Sequence, residues 1–187
     1  MFGNKKFDYD PEDSRQTLDD LRRGSAEAFQ ILYNKYNKKV YRFCLRMLGS
    51  QDIAKDAYQE IFIKIFEHRK EFRGNNFAAW LFTIARHTCL NLMRTEKEFD
   101  SLEEVLEFTT NEKESDAGLK DYIQKAISTL PILLREAIIL REYEDLSYQE
   151  IAQVLNIDLS LAKIRVFRAR EILRKLLIPI KQELYES

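Results

Sequence analysis

The residues best suited to chemistry in this sequence are cations near its C-terminal end. Six basic side chains and one acidic side chain lie between Lys163 and Lys175. A local excess of positive charge neutralises phosphates, so the run indicates nucleic-acid binding. A basic run alone is also typical of a solvated helix face, and the interpretation therefore depends on the segment that precedes it.

That preceding segment has the features of a helix-turn-helix. The stretch from Leu146 to Ala152 (LSYQEIA) predicts a helix that begins with a capping box, in which Ser147 and Glu150 accept hydrogen bonds from each other's backbone. Asn156 tolerates the left-handed conformation that ends a helix, and Asp158 can cap the next one. Two helices joined by such a short turn form a motif whose second helix enters the major groove of DNA.

The second helix of this motif is predicted to have an apolar inner stripe and a mixed outer face. The inner stripe consists of Ala162, Val166, Ala169, Leu173 and Leu176. On the outer face, cations surround two large apolar residues, a combination that suits thymine methyl groups, guanine edges and phosphates. The candidate DNA-contacting residues are Ser160, Lys163, Ile164, Phe167 and Arg168. The alternative is a solvated basic face, with Phe167 covered by another helix.

A second candidate surface is acidic and lies on a helix predicted from Gln51 to Glu71. One face of this helix consists of Asp52, Asp56, Gln59, Glu60 and Ile63. An apolar residue on an acidic face suggests a protein partner with a basic surface. A solvated face with one stray apolar residue explains the pattern equally well.

A third candidate surface lies at the start of a helix predicted from Asn75 to Thr95. The helix is apolar on almost every side, with a narrow polar strip that includes Thr83, Arg86 and His87. A basic, aromatic loop with one glycine precedes it, and such a loop suits stacking of an unpaired base. By base rate, however, His87 and Trp80 are expected to line the core.

The elements that position these residues are predicted to be helices throughout. Helix-forming stretches with apolar residues three and four apart follow one another, the first from Ser25 to Leu48, and runs of alternating β-branched residues are missing. Residues 21–96 hold fourteen basic and seven acidic side chains, whereas residues 97–118 hold two and eight. We therefore predict two small helical domains joined by an acidic flexible linker. The predicted divisions are an N-terminal extension at 1–20, a first domain at 21–96, the linker at 97–118 and a helix-turn-helix domain at 119–187.

Composition argues against several classes of protein. The chain has 187 residues, of which 45% are hydrophobic and 33% charged, so it can bury a core. Cys44 and Cys89 are too few for a disulfide scaffold and are expected to be core residues in a reducing cytoplasm. Phosphate-loop, dinucleotide, zinc-protease and serine-hydrolase motifs are missing, so we predict neither catalysis nor a metal or other cofactor. The first ten residues lack the apolar core of a signal peptide, and we expect a cytoplasmic protein without membrane insertion.

Several segments together resemble the extracytoplasmic-function sigma factors of bacterial RNA polymerase. Residues 54–62 (AKDAYQEIF) resemble the family's polymerase-binding signature, and residues 72–74 (FRG) with 80–86 (WLFTIAR) resemble its minus-ten segment. Residues 130–131 (LP), 146–152 and 167–170 (FRAR) resemble the domain that reads the minus-thirty-five element. The segments occur in the family's order, on either side of the acidic stretch.

The resemblance implies a sigma factor that binds core RNA polymerase and promoter DNA, both as duplex and as opened strand. It also implies an anti-sigma factor as a partner. The polymerase-binding residues it implies are Asp56, Gln59, Glu60 and Ile63. Those it implies for the minus-ten element are Arg73, Asn75, Asn76, Thr83, Arg86 and His87, and the outer face of the last motif is implied for the minus-thirty-five element.

Two other functions fit parts of the pattern. The chain could be an ordinary helix-turn-helix regulator whose N-terminal helices dimerise or sense a signal, or a helical adaptor that binds only proteins. Co-purification with core polymerase distinguishes the sigma factor from both, since neither alternative predicts it.

Overall fold

The computed structural model describes residues 14–74, 76–102 and 118–186, and these residues form eight α-helices and no strand. The helices are α1 (Arg15–Arg23), α2 (Ala26–Leu48), α3 (Gln51–Glu67), α4 (Phe77–Leu102), α5 (Leu119–Ser128), α6 (Ile132–Glu142), α7 (Tyr148–Leu155) and α8 (Leu159–Glu186). The all-α prediction is confirmed. Most of the predicted linker lies outside the described residues.

Helices α1 to α4 form the N-terminal domain, and short polar caps set their bounds. Ser25 and Ser50 cap α2 and α3 by accepting a hydrogen bond from the backbone N–H of the third residue of each helix. Gly49 ends α2 with a φ of 77°, a left-handed conformation that costs glycine little. Helix α3 ends at Glu67, four residues before the predicted end, because the backbone then makes a turn in which Glu71 N–H donates to the His68 carbonyl.

The core of the N-terminal domain is aliphatic and aromatic, as the apolar stripes predict. Phe43 on α2 packs edge-to-face on Phe82 of α4, with ring centroids 5.4 Å apart. Cys44 and Cys89 are free thiols buried in this core, and the hydrogen bond between them, together with burial, raises the pKa of Cys44. Both cysteines therefore occupy the core position that the sequence predicts.

Helices α5 to α8 form the C-terminal domain, in which α8 packs on α5, α6 and α7. Ala162, Val166 and Ala169 are fully buried, as predicted. The prediction for Leu176 is wrong, since this side chain is exposed. The inner stripe follows the helical period from Leu173 to Leu177, and both line a groove against α5 and α6.

The two domains pack against each other through α4 on α7 and through α2 on α5 and α6. Helix α1 crosses the predicted division between residues 20 and 21, and α4 continues past the division between 96 and 97. Among the described helices, none is long and apolar enough to cross a membrane. The same residues contain no group of three or more His, Cys, Asp or Glu side chains arranged to hold a metal ion.

Candidate nucleic-acid and protein interfaces

The helix-turn-helix forms with the predicted local chemistry. Ser147 Oγ accepts a hydrogen bond from Glu150 N–H at 3.2 Å, and Glu150 Oε2 accepts one from Ser147 N–H at 2.7 Å. Asn156 ends α7 in the left-handed conformation, with φ 51° and ψ 54°. The capping box and the turn residue are thereby confirmed.

The outer face of α8 is open. Phe167 is 64% exposed and Ile164 is 44% exposed, whereas Val166 between them is fully buried. The alternative in which another helix covers Phe167 is therefore wrong for the described residues. The remaining predicted contacts, Ser160, Lys163 and Arg168, are exposed beside them. All five predicted residues lie on one accessible surface.

The basic run between Lys163 and Lys175 has less unpaired positive charge in the folded protein than its sequence suggests. Arg165 Nη1 lies 3.3 Å from a Glu136 carboxylate oxygen, and Arg170 Nε donates to Glu142 Oε1 at 2.9 Å. Arg174 pairs with Glu171 at 2.7 Å. These pairs neutralise part of the predicted positive charge, which leaves Lys163, Arg168 and Lys175 as the exposed cations outside them.

The acidic face of α3 is also open. Asp56 and Gln59 are exposed, and Ile63 is 58% exposed. Glu60 is half-buried and pairs with Lys64 one turn later, at 2.5 Å. Sequence reasoning missed Phe66, which is 40% exposed one turn beyond Ile63 and extends the apolar part of this face. The three-residue spacing from Ile63 is the signal that could have found it.

The loop before α4 differs from its prediction. Phe72 and Phe77 are 2% and 1% exposed, and both pack on Trp80, at 5.2 and 5.7 Å. The prediction that these aromatic rings stack an unpaired base is wrong for both residues, because they fill the core. Trp80 lines the core, as expected, whereas His87 is exposed.

Sequence reasoning also missed the residue that holds this loop. Arg22 of α1 donates from Nε to the Phe72 carbonyl at 2.8 Å and from Nη2 to the Gly74 carbonyl at 2.6 Å. Its guanidinium also lies 4.8 Å from the centre of the Phe72 ring. About fifty residues separate these partners, so no local pattern indicated the contact.

The residues predicted for the minus-ten element do not all share one environment. Arg73 and His87 are exposed, and Asn75 lies outside the described residues. Asn76 caps α4, since its Oδ1 accepts from Ala79 N–H at 2.9 Å. The Thr83 hydroxyl donates to the Ala79 carbonyl at 2.8 Å. Asn76 thus fixes the start of the helix that carries Thr83, Arg86 and His87.

Two of these residues contact the C-terminal domain. Arg86 donates from Nε to Glu136 Oε2 at 2.7 Å and from Nη2 to Glu136 Oε1 at 3.3 Å. Asn76 Nδ2 donates to Glu150 Oε1 at 2.7 Å. The polar strip of α4 therefore lies partly in the interface between the domains.

The same interface contains a third carboxylate, Glu144, in the turn between α6 and α7. Burial raises its pKa to about 7, although Lys39, Arg46 and Arg42 on α2 oppose the rise. Its Oε2 accepts no hydrogen bond, and the side chain is buried. Arg46 also stacks on the neighbouring Tyr143, with its guanidinium 3.7 Å from the ring centre.

Comparison with known proteins identifies the family. Residues 32–99 match the family model for Sigma-70 region 2, and residues 120–173 match that for Sigma-70, region 4. The chain is 34% identical to RNA polymerase sigma-H factor from Pseudomonas aeruginosa over 92% of its length and 97% of the relative's. It is 30% identical to ECF RNA polymerase sigma factor SigW from Bacillus subtilis, with 86% and 95% covered.

The chain belongs to the extracytoplasmic-function sigma factor family. This sigma factor binds core RNA polymerase and directs promoter-specific initiation of transcription. Its fold is similar to that of the sigma factor RpoE from Bartonella quintana, solved with the anti-sigma factor NepR. The TM-score is 0.69 and the identity 29%, with 81% of this chain and 98% of that one covered.

Proposed function

We propose that the sigma factor uses three separate surfaces during initiation. The open acidic face of α3 binds core polymerase through Asp56, Gln59, Glu60 and Ile63, with Phe66 extending the contact. A protruding apolar residue ringed by acids suits a partner with a basic, partly apolar surface. The exposure of Ile63 and Phe66 supports this assignment.

The outer face of α8 reads the minus-thirty-five duplex in this proposal. The observation that carries it is the exposure of Phe167 and Ile164 between Lys163 and Arg168, on a helix positioned by a helix-turn-helix. Apolar contacts to thymine methyl groups and Arg contacts to guanine or phosphate account for that mixture. Ser160 lies at the N-terminal end of the same face, where recognition helices contact base edges.

The polar strip of α4 and the loop before it bind the opened minus-ten strand. The residues are Arg73, Asn76, Thr83, Arg86 and His87, together with Asn75 from the sequence prediction. Because Phe72 and Phe77 are buried, capture of the strand relies on polar and cationic contacts, and base stacking by these two rings plays no part. The first domain thus takes the opened strand while the second takes the duplex.

The protein acts as a non-catalytic subunit in the cytoplasm, where its polymerase partner works. In the predicted divisions at 21–96, 97–118 and 119–187, the α3 and α4 surfaces come before the acidic linker and the α8 surface comes after it. By similarity to the sigma factor solved with NepR, we also propose an anti-sigma factor that masks these surfaces.

The proposal is tested by mapping transcripts initiated in vitro by core polymerase with this protein. Defined start sites preceded by a common pair of elements are expected, and they supply the promoter sequences for further assays. Asp56→Lys with Glu60→Lys should weaken core binding in a titration without loss of helicity, since Asp56 is exposed and Glu60 takes part only in a surface ion pair with Lys64, and such charges contribute little to stability. Glu27→Lys, on an exposed residue of α2, is the matched control. Equal core affinity for both proteins would remove the α3 assignment.

A further inference from the structure

The loop between α3 and α4 is held from outside by Arg22, a residue of α1. We propose that Arg22 is a positioning residue for promoter-strand binding, which presents Arg73 to the opened minus-ten strand by binding the backbone on both sides of it. This inference rests on the proposed function of the loop. It extends the strand-binding surface to α1, a helix that carries none of the residues assigned to DNA.

Arg22 contacts the two carbonyls that flank Arg73 in the chain. Its Nε donates to the Phe72 carbonyl at 2.8 Å, and its Nη2 donates to the Gly74 carbonyl at 2.6 Å. The donors of a guanidinium form a rigid planar fork, so binding both carbonyls fixes the path of the backbone between them. Arg73 lies on that short path and is exposed. The direction in which Arg73 leaves the backbone therefore depends on Arg22.

The Arg22 side chain is itself held in place by its neighbours. Asp19, one turn earlier on α1, forms an ion pair with it, and the Arg22 side chain is only 28% exposed. Its guanidinium also lies 4.8 Å from the centre of the Phe72 ring, which packs on Phe77 and Trp80 in the core. A guanidinium fixed by an acid and an aromatic ring has little freedom to move. The loop that it binds is therefore preorganised before the strand arrives.

The turn between α1 and α2 contacts the other end of the same loop. Gly24 ends α1 with a φ of 90°, and a Cβ at this position would lie 3.3 Å from Nε and Nη2 of Arg69. The Arg69 guanidinium in turn lies 4.4 Å from the centre of the Phe66 ring. Helix α1 and its final turn thus pack on both the first and the last part of the loop. This second contact supports a role for α1 in shaping the whole loop.

A purely structural role for Arg22 leads to different expectations. A residue that only stabilises the fold changes every binding surface through the folded fraction, and its effect does not depend on Arg73. A positioning residue weakens binding of the opened strand in protein that is fully folded, and its effect requires the side chain that it positions. A double-mutant cycle between Arg22 and Arg73 therefore separates the two roles.

The test uses the full chain assembled with core polymerase, as wild type, Arg22→Ala, Arg22→Lys, Arg73→Ala and Arg22→Ala with Arg73→Ala. Lysine keeps the charge and the apolar stem of Arg22, but its single ammonium cannot reproduce the fork. The matched control is Arg23→Ala, which removes the neighbouring arginine of α1, an exposed residue that pairs with Asp20 at 3.4 Å. The probes are a single-stranded minus-ten oligonucleotide and a minus-thirty-five duplex, both taken from a mapped start site.

Arg22→Ala removes both donors, and loss of each charge-assisted hydrogen bond shifts the equilibrium of the loop by about tenfold. Affinity for the single strand should therefore fall by about tenfold or more, because the competent fraction limits apparent affinity. Arg22→Lys should lie between Arg22→Ala and wild type. Duplex affinity and the Arg23→Ala control should match wild type. When Arg73 is already alanine, adding Arg22→Ala should lower strand affinity by about threefold at most.

Strand affinity equal to wild type in Arg22→Ala would overturn the positioning role, and so would an equal loss with and without the Arg73 side chain. If Arg73→Ala alone binds the strand as wild type does, the assignment of Arg73 to the minus-ten element is wrong, and the positioning role fails with it. If Arg22→Ala is so unstable that duplex affinity falls in parallel, the same cycle with Arg22→Lys decides, because lysine keeps the charge and the packing on Phe72.

Discussion

The outer face of α8 and the polar strip of α4 carry similar residues in opposite environments. Phe167 and Arg168 on α8 face solvent, whereas Arg86 on α4 is held against the buried Glu136. Arg86 and Arg168 are the same residue type at similar positions in their helices. They differ only in whether the other domain packs against them. The comparison teaches that a helix face with these residue types is exposed or covered according to contacts with residues far away in the chain.

The largest expected effect in this comparison belongs to Glu136. Glu136→Ala leaves both Arg86 and Arg165 without their buried partner, and breaking a buried ion pair in this way costs about 3–5 kcal/mol. Glu142→Ala, which removes an acid from an exposed pair with Arg170, should cost about 0–1 kcal/mol. Chemical denaturation of both variants measures the two free energies of unfolding. Equal losses of unfolding free energy in the two variants would show that the interface pair stabilises the fold no more than a surface pair does.

The next effect depends on pH and concerns Glu144. Because burial raises its pKa from 4.5 to about 7, the folded protein keeps a proton that the unfolded chain releases. The contribution of Glu144 to the free energy of unfolding is therefore highest below pH 4.5, falls as the pH rises from 4.5 to about 7, and is level above that range. The groups that face this carboxyl are Lys39, Arg42 and Arg46 on α2, together with Asp145 and Cys44.

Glu144→Gln removes this titration, since the amide is neutral at every pH. Relative to wild type, the variant should gain up to about 3 kcal/mol of unfolding free energy on going from pH 4.5 to pH 8. Denaturant titrations at the two pH values measure the gain. A difference between the proteins that is the same at both pH values would mean that Glu144 does not titrate within this range.

Phe167 gives the cleanest contrast with a core residue. Phe167→Ala should lower minus-thirty-five affinity by about 1–3 kcal/mol and barely change stability, because the ring is 64% exposed. Val166→Ala, on the adjacent buried residue, should lower stability by about 1–3 kcal/mol through the cavity it leaves. Duplex titrations and melting curves on both variants check the contrast. A large fall in melting temperature for Phe167→Ala, with affinity per folded molecule unchanged, would place the ring in the core.

Local sequence was enough to predict the helix-turn-helix and the faces of α8. The capping box at Ser147 and Glu150 and the left-handed Asn156 depend on backbone groups within a few residues. Local sequence is therefore enough to predict them. The open face of α3 follows from helical period in the same way. These are the surfaces for which we propose partners outside the molecule.

The interface between the domains could not be predicted in this way. Arg86 and Glu136 are fifty residues apart, and neither position shows in its local pattern that a carboxylate will meet a guanidinium. The apolar character of Phe72 and Phe77 suited base stacking and core packing equally, and only the assembled aromatic cluster with Trp80 decides between them. The prediction for Leu176 was wrong by one residue, because the inner stripe of α8 continues from Leu173 to Leu177.

The smallest expected effect concerns Lys175, an exposed cation of α8 well beyond the residues assigned to bases. If it contacts only a phosphate, Lys175→Ala should weaken binding to every duplex alike and lower the slope of log affinity against log salt by about 0.9. Arg168→Ala, at the centre of the proposed reading surface, should instead lower affinity for the minus-thirty-five sequence more than for unrelated DNA. Titrations of a specific and a scrambled duplex at several salt concentrations separate the two behaviours. Loss of sequence preference in Lys175→Ala would extend base reading further along α8, toward the part of the helix where Arg170 and Arg174 are already paired with acids.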